Sequence, residues 1–182
     1  MNGAWTPLMH GDVVILHRKP GMTQLALKPV PTGTDLAGTF REVLDQQEKL
    51  CAQLEAFADG LPGKVCLLTC QRLSQTLSTL VRKAHRFEEE RVFPLIAQGQ
   101  DADGVRFQSL LRLAWEHIED EGYADEVAEA LADLSENPEA EKAESLGYML
   151  RGFFGAMRRH IAFEREYILP MIGAAEEGGL HA

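Results

Sequence analysis

The chain has 182 residues, a length that suits one domain with one core, and it is 45% hydrophobic and 25% charged, as in ordinary globular proteins. The net charge is −10 without a clustered basic face, which argues against a nucleic-acid partner, and no apolar run reaches the roughly 20 residues that cross a bilayer. The N-terminus lacks a signal-peptide pattern and three cysteines are too few for a disulfide framework, so we expect a cytoplasmic protein with no membrane contact.

Residues 1–33 differ from the rest of the chain. They contain four of the eight prolines and a short β-like run at residues 13–16, and they lack helical periodicity. This pattern predicts an extended N-terminal arm that packs on the domain or on a partner chain. Residues 34–174 are predicted to form one domain, and residues 175–182 a flexible C-terminal tail.

The first two of four predicted helices follow the arm. The first helix begins near Thr34 or Thr39, either of which can cap it, and ends near Gly60. The second helix is predicted over about residues 64–93. Pro94 should disturb its last turn, because proline cannot donate a backbone hydrogen bond.

The other two helices follow a loop predicted at residues 98–104. The third helix covers about residues 105–134. The fourth starts at Asn137 and Pro138, a capping residue followed by a proline that fits the first helical position, and ends near Leu169. Four helices with short connections predict an all-α, antiparallel up-down four-helix bundle.

Polar residues interrupt the apolar stripes of three helices. The second helix has His85 and Glu89 there, the third has His117, and the fourth has His160 and Glu164. Residues at i and i+4 point the same way from a helix, so these side chains should converge in the bundle interior. Burying them without partners costs several kcal/mol, whereas a metal ion takes up their lone pairs. Mixed nitrogen and oxygen ligands suit iron or manganese, with zinc as a further alternative.

Two further acids stay open as ligands. Glu121 has the helical spacing from His117 but belongs to an acidic run, and Glu88 precedes Glu89 and stays open as a second carboxylate. A single histidine on a helix is usually a core or surface residue. The recurrence of the pattern favours the metal site, because a histidine, three residues, a glutamate and a later proline occur at residues 85–96 and again at residues 160–172.

These segments read HRFEEERVFPLI and HIAFEREYILPMI, and with WEHIEDE at residues 115–121 they resemble the hemerythrin-like, HHE cation-binding family. The resemblance spans roughly residues 35–172. It implies an up-down bundle that holds a non-haem di-iron site. The implied metal ligands are His85, Glu89, His117, His160 and Glu164, with the glutamates in positions that commonly bridge two metals.

The resemblance also implies the partners: a mononuclear or dinuclear iron and a small diatomic molecule, with a homodimer left open.

One departure concerns the first helix, where the family usually has a histidine. No histidine occurs between His17 and His85, and Leu44 or Gln47 stands in its place. One of two metal positions therefore lacks an imidazole. The residues that could complete it are Glu48, Glu121, His10 and His17.

The sequence is compatible with three functions. We favour a non-catalytic metal-binding protein, a sensor, store or buffer for iron, O2, NO or peroxide. A di-iron oxidase or peroxidase-type enzyme would need an open coordination position and a substrate channel. A degenerate, metal-free bundle that acts through protein interaction would explain the missing histidine of the first helix.

Overall fold

The computed structural model describes residues 35–97 and 105–179, and apart from short connections these residues are helical, as predicted. Within them, four long rods form the fold, where a rod is one helix or a run of helical segments that follow one another directly. The first rod is α1 (Leu36–Gly60), and the second joins α2 (Leu67–Phe87), the π-helical turn π1 (Glu88–Val92) and α3 (Phe93–Ala97). The third rod is α4 (Val105–Glu136), and the fourth joins α5 (Ala140–Phe163), the turn π2 (Glu164–Ile168) and α6 (Leu169–Gly179).

Three predicted segments fall wholly or partly outside the described residues. The N-terminal arm at residues 1–33 and the whole loop at residues 98–104 lie outside them, as do residues 180–182 of the predicted tail. Helix α6 continues to Gly179, so the described part of the predicted tail is helical.

The cap of α1 differs from both threonines that the sequence offered. Asp35 is the N-cap, and its Oδ1 accepts a hydrogen bond from Gly38 N at 2.6 Å. Thr39 lies inside the first turn, where its hydroxyl donates to Asp35 O, and Thr34 is outside the described residues. Aspartate is among the best N-caps because its carboxylate satisfies a backbone donor at the positive helix end.

Each π turn lies shortly before a proline, Pro94 in the second rod and Pro170 in the fourth. In an α-helix, the proline ring collides with the carbonyl four residues earlier and removes a hydrogen bond. A π turn is wider and bonds over five residues, as in the bond from Phe93 N to Glu88 O. The helix therefore passes through Pro94 and ends at Ala97, instead of ending at the predicted position.

The core lies between the rods, where α2 packs along α4 and α1 along α5. Burying one leucine or phenylalanine side chain contributes about 1.5–3 kcal/mol. Among the largest fully buried side chains are Phe40, Leu44, Leu54, Leu73, Leu77, Leu113, Leu131, Leu146, Leu150 and Phe153. Among the described residues, no helix has both the length and the apolar character that a membrane span requires.

Ion pairs fix the register between α1 and the fourth rod. They join Asp59 to Arg151 at 3.2 Å, Glu55 and Glu48 to Arg158 at 2.8 and 3.1 Å, and Asp45 to Arg165 at 2.7 Å. Exposed pairs of this kind add little stability. They nevertheless place residues 45–48 of α1 beside residues 158–165 of the fourth rod.

A glycine allows Tyr123 of α4 to reach the backbone of α5. The Tyr123 hydroxyl donates to Met149 O at 2.9 Å. A Cβ at Gly152 would collide with that hydroxyl, whereas at Gly155 its nearest neighbour would be the end of the Arg159 side chain at 3.7 Å. The close approach of the two helices therefore depends on Gly152.

We expect alanine to have opposite effects at these two glycines. Gly155→Ala should stabilise the protein by about 0.5–1 kcal/mol, because alanine loses less backbone entropy in a helix. Gly152→Ala should destabilise it by about 1 kcal/mol or more, since the new methyl group displaces Tyr123 from its hydrogen bond. Urea unfolding measures both changes, and shifts of the same sign would contradict the packing argument.

Candidate metal centre

The buried polar side chains of the described residues are Gln47 and six others that form one cluster. The cluster contains His85, Glu88, Glu89, His117, His160 and Glu164, and none of its members is more than 8% exposed. The second rod supplies three of these side chains, α4 one, and the fourth rod two. A cluster of this kind inside an apolar core needs a physical reason, because buried charges are usually paired or bound to metals.

The three imidazoles lie against one another. The rings of His85 and His117 stack at 4.0 Å with an angle of 3° between their planes. The His160 ring lies 5.8 Å from His85 and 5.2 Å from His117, measured between centroids. Each ring offers a nitrogen within 4.8 Å of the other two, a spacing that one metal ion could bridge.

Two glutamates face the same space. Glu88, His117, His160 and Glu164 each offer an atom within 4.8 Å of the other three. Nε2 of His117 is 3.0 Å from Oε2 of Glu88, and Nε2 of His160 is 3.3 Å from Oε1 of Glu164. These atoms are close but are not aligned for hydrogen bonds.

The other ring nitrogen, Nδ1, faces outward to a carboxylate in all three histidines. The contacts join His85 to Glu121 at 3.4 Å, His117 to Glu89 at 3.0 Å, and His160 to Glu116 at 3.6 Å and Asp120 at 3.7 Å. A carboxylate on the outer nitrogen fixes the orientation of an imidazole and makes its inner nitrogen a stronger ligand. The arrangement is therefore typical of metal-binding histidines.

The inner atoms lack hydrogen-bond partners. Nε2 of the three histidines and both carboxylate oxygens of Glu88 and Glu164 are buried without one, and so is the outer Nδ1 of His160. Each buried polar atom without a partner costs about 1–3 kcal/mol. A cation that accepts their lone pairs would remove the cost, so this donor set of nitrogens and oxygens fits a metal ion.

Burial changes the protonation of the cluster. Burial raises the pKa of Glu88 to about 7, and repulsion from the nearby Glu164 carboxylate acts in the same direction. Burial also raises the pKa of Glu164 to about 7. Burial lowers the pKa of His85 and of His160, which favours their neutral, ligating form.

His117 is different because it lies between two carboxylates. Burial by itself lowers the pKa of His117, but the neighbouring carboxylates of Glu88 and Glu89 outweigh that effect and raise it to about 10. Without a metal, His117 therefore holds a proton at neutral pH. A metal ion would take the place of this proton.

The structure brings four of the predicted ligands together with Glu88, which the sequence had left open as a second carboxylate. His85, His117, His160 and Glu164 meet at the centre, whereas Glu89 contacts His117 from its outer side. Glu88 lies in the central group instead, at the start of π1. Glu88 is three residues after His85, a spacing that shares a helix face as a spacing of four does, so counting four residues from His85 led to Glu89 instead.

A sequence signal for Glu88 does exist. Glu88 and Glu164 each begin a π turn, and each is the sixth residue before its proline, Pro94 or Pro170. Alignment of the two segments on their prolines pairs these glutamates with each other. Alignment on the histidines pairs Glu89 with Glu164.

Comparison with known families gives one match. The family model described as the hemerythrin HHE cation binding domain matches residues 39–172, a span that includes every residue of the cluster. No curated protein and no solved structure matches the chain.

In metal-stripped protein, we expect the free energy of unfolding to fall as the pH rises from about 7.5 to about 9. The pKa of His117 is raised from 6.5 to about 10 in the folded state, so folding retains a proton that the unfolded chain has lost. The slope should approach about 1.4 kcal/mol per pH unit. Urea unfolding in chelator measures it.

The matched control is His117→Gln, which cannot carry the proton and should lose most of the slope. A stability that does not change over this range, or the same slope in both proteins, would contradict the pKa argument.

Proposed function

The chain belongs to the hemerythrin HHE cation-binding domain family, and we propose that it binds a non-haem metal ion whose native identity is iron. The observation that carries this proposal is the group of inward-facing nitrogens and carboxylate oxygens that are buried without hydrogen-bond partners. Both atom types suit iron, and the family match supports a cation at this place. Manganese and zinc are the alternatives.

We propose His117, His160, Glu88 and Glu164 as the principal ligands, because their donor atoms lie within 4.8 Å of one another. His85 shares the space with both histidines and completes the set. Glu89 contacts Nδ1 of His117, which supports a role in orienting that ring. When bound, the metal would act as a Lewis acid with affinity for small oxygen or nitrogen ligands.

The site should hold one ion firmly. The three-histidine group and the four-residue group share His117 and His160, so the two groups do not supply separate ligand sets. Helix α1 contributes no imidazole, and its buried polar side chain is Gln47. A second metal position would therefore be weak or empty, unlike a symmetric di-iron centre.

The bundle is proposed to run up and down, with antiparallel neighbours. In the ion pairs between α1 and the fourth rod, the residue number in α1 falls as the number in the fourth rod rises, which supports this topology.

The three cysteines are free thiols, as expected for a reducing compartment, and we propose that the protein acts in the cytoplasm.

We propose a non-catalytic role, in sensing or storage of iron or of a small ligand such as O2, NO or peroxide. Protein purified without chelator should contain about one metal ion per chain by elemental analysis. Absence of metal, also after incubation with ferrous iron, would favour the metal-free bundle. Turnover of O2 or peroxide by the iron-loaded protein would favour an oxidase or peroxidase-type enzyme.

Glutamine substitutions at Glu88, Glu89 and Glu90 test which glutamate binds the metal and which one orients a histidine. Glu88→Gln should weaken metal binding most, because it removes a charged ligand. Glu89→Gln should weaken it by about 10–100-fold, as for outer partners of ligating histidines. Glu90→Gln is the control, since Glu90 is exposed and pairs with Arg86. Metal titration by calorimetry gives the affinities, and a larger loss for Glu89→Gln would restore Glu89 as the ligand.

The missing imidazole of α1 gives a second test. Gln47→His places an imidazole beside the fourth rod, where Gln47 is buried. The metal content should rise from about one toward about two ions per chain by elemental analysis. The exposed neighbour Gln46→His should leave the content unchanged. Two tightly held ions in the unmodified protein would show instead that an unassigned residue completes the second position.

A further inference from the structure

Gln47 is buried without a partner for either end of its amide. The residue is 4% exposed, and neither its Nε2 nor its Oε1 has a hydrogen-bond partner. An orphaned buried amide is costly, and an apolar side chain of similar size would fill the place without that cost. The amide therefore needs an explanation of its own.

The register of the helices places Gln47 at the level of the metal cluster. Its neighbours Asp45 and Glu48 pair with Arg165 and Arg158. These arginines bracket the segment of the fourth rod that carries the two ligands proposed there. Helix α1 also contacts π1, where Glu88 lies. Gln47, on the buried face of α1, thus lies where the bundle holds its metal-binding side chains.

The chemistry of the Gln47 amide differs from that of the six side chains in the cluster. A glutamine offers two N–H donors and a carbonyl acceptor, and it carries no charge. The cluster at the same level of the bundle supplies carboxylates and imidazoles, which suit a cation. A neutral donor at this place suits a small molecule that accepts a hydrogen bond while it contacts the metal.

We infer that the Gln47 amide binds the small exogenous ligand of the site, donating from Nε2 to an oxygen or nitrogen atom of that ligand. A ligand that carries a proton, such as water or hydroperoxide, also donates to Oε1 and satisfies both ends of the amide. The inference rests on the proposed metal-binding function and assigns a ligand-binding residue within it. Gln47 is then a selectivity residue of α1, and its role differs from that of a metal ligand.

The test uses azide, a small anion that accepts hydrogen bonds, with the iron-loaded full chain. Gln47→Leu and Gln47→Met remove the amide and keep a side chain of similar volume, and Gln46→Leu makes a matched change at an exposed position. Azide affinity is measured by calorimetry, and iron content by elemental analysis. Both Gln47 variants should bind azide about tenfold to a hundredfold more weakly, as expected for loss of one hydrogen bond to a charged group, and should keep their iron.

A second measurement does not depend on bound metal. Metal-stripped Gln47→Leu should melt at the same temperature as the unmodified protein or higher, because the buried unpaired amide is gone. A clear fall would mean that the amide already has a structural partner, and would overturn the inference.

The remaining outcomes separate this inference from the proposed function. Equal azide affinity in all variants, or no azide binding by the iron-loaded unmodified protein, would overturn the inference and leave metal binding intact. Loss of iron from both Gln47 variants would overturn it by making Gln47 a metal ligand. An unmodified protein that binds no metal would overturn both.

Discussion

The burial of six titratable side chains in the core of a helical bundle is the constraint on which the rest of this structure depends. Three imidazoles and three carboxylates lie where leucines would pack, and several of their atoms have no hydrogen-bond partner. The surrounding apolar core must outweigh this cost. Outer acids give Nδ1 of His85 and of His117 a hydrogen-bond partner, whereas Nδ1 of His160 lies 3.7 Å from Asp120 without one. A cation that accepted their lone pairs would remove the cost at the inner atoms.

The two π turns connect this constraint to the sequence. Pro94 and Pro170 do not fit an ordinary helical interior, and the wider turn before each of them accommodates the ring without breaking the rod. Each turn begins at a glutamate of the central group, Glu88 or Glu164. In both rods, therefore, a glutamate of the central group begins the wider turn that accommodates the following proline.

The sequence was sufficient for the parts of the site that follow regular helical geometry. Helical spacing on apolar stripes predicted the inward positions of His85, His117, His160 and Glu164, since an α-helix repeats its faces regularly. It left Glu88 undecided because residues three and four after His85 both lie on the same helix face, and periodicity does not choose between them. Likewise, the choice of Asp35 as the cap of α1 depends on where the chain enters the helix. These details arise from local backbone geometry, whereas the all-helical fold follows from the hydrophobic pattern.

A bundle that acted only through its surface would have no use for the cluster. Replacing buried charged groups with well-packed apolar residues is often neutral or stabilising. Glu88 and Glu164 together are especially unfavourable, because each is buried and their charges repel. The histidines, moreover, are oriented by outer carboxylates from two different helices, an arrangement that packing alone does not require. A cation at the centre would explain the carboxylates, the ring orientations and the inward-facing nitrogens together, and the lack of an imidazole on α1 would then bear on the number of ions and leave metal binding itself untouched.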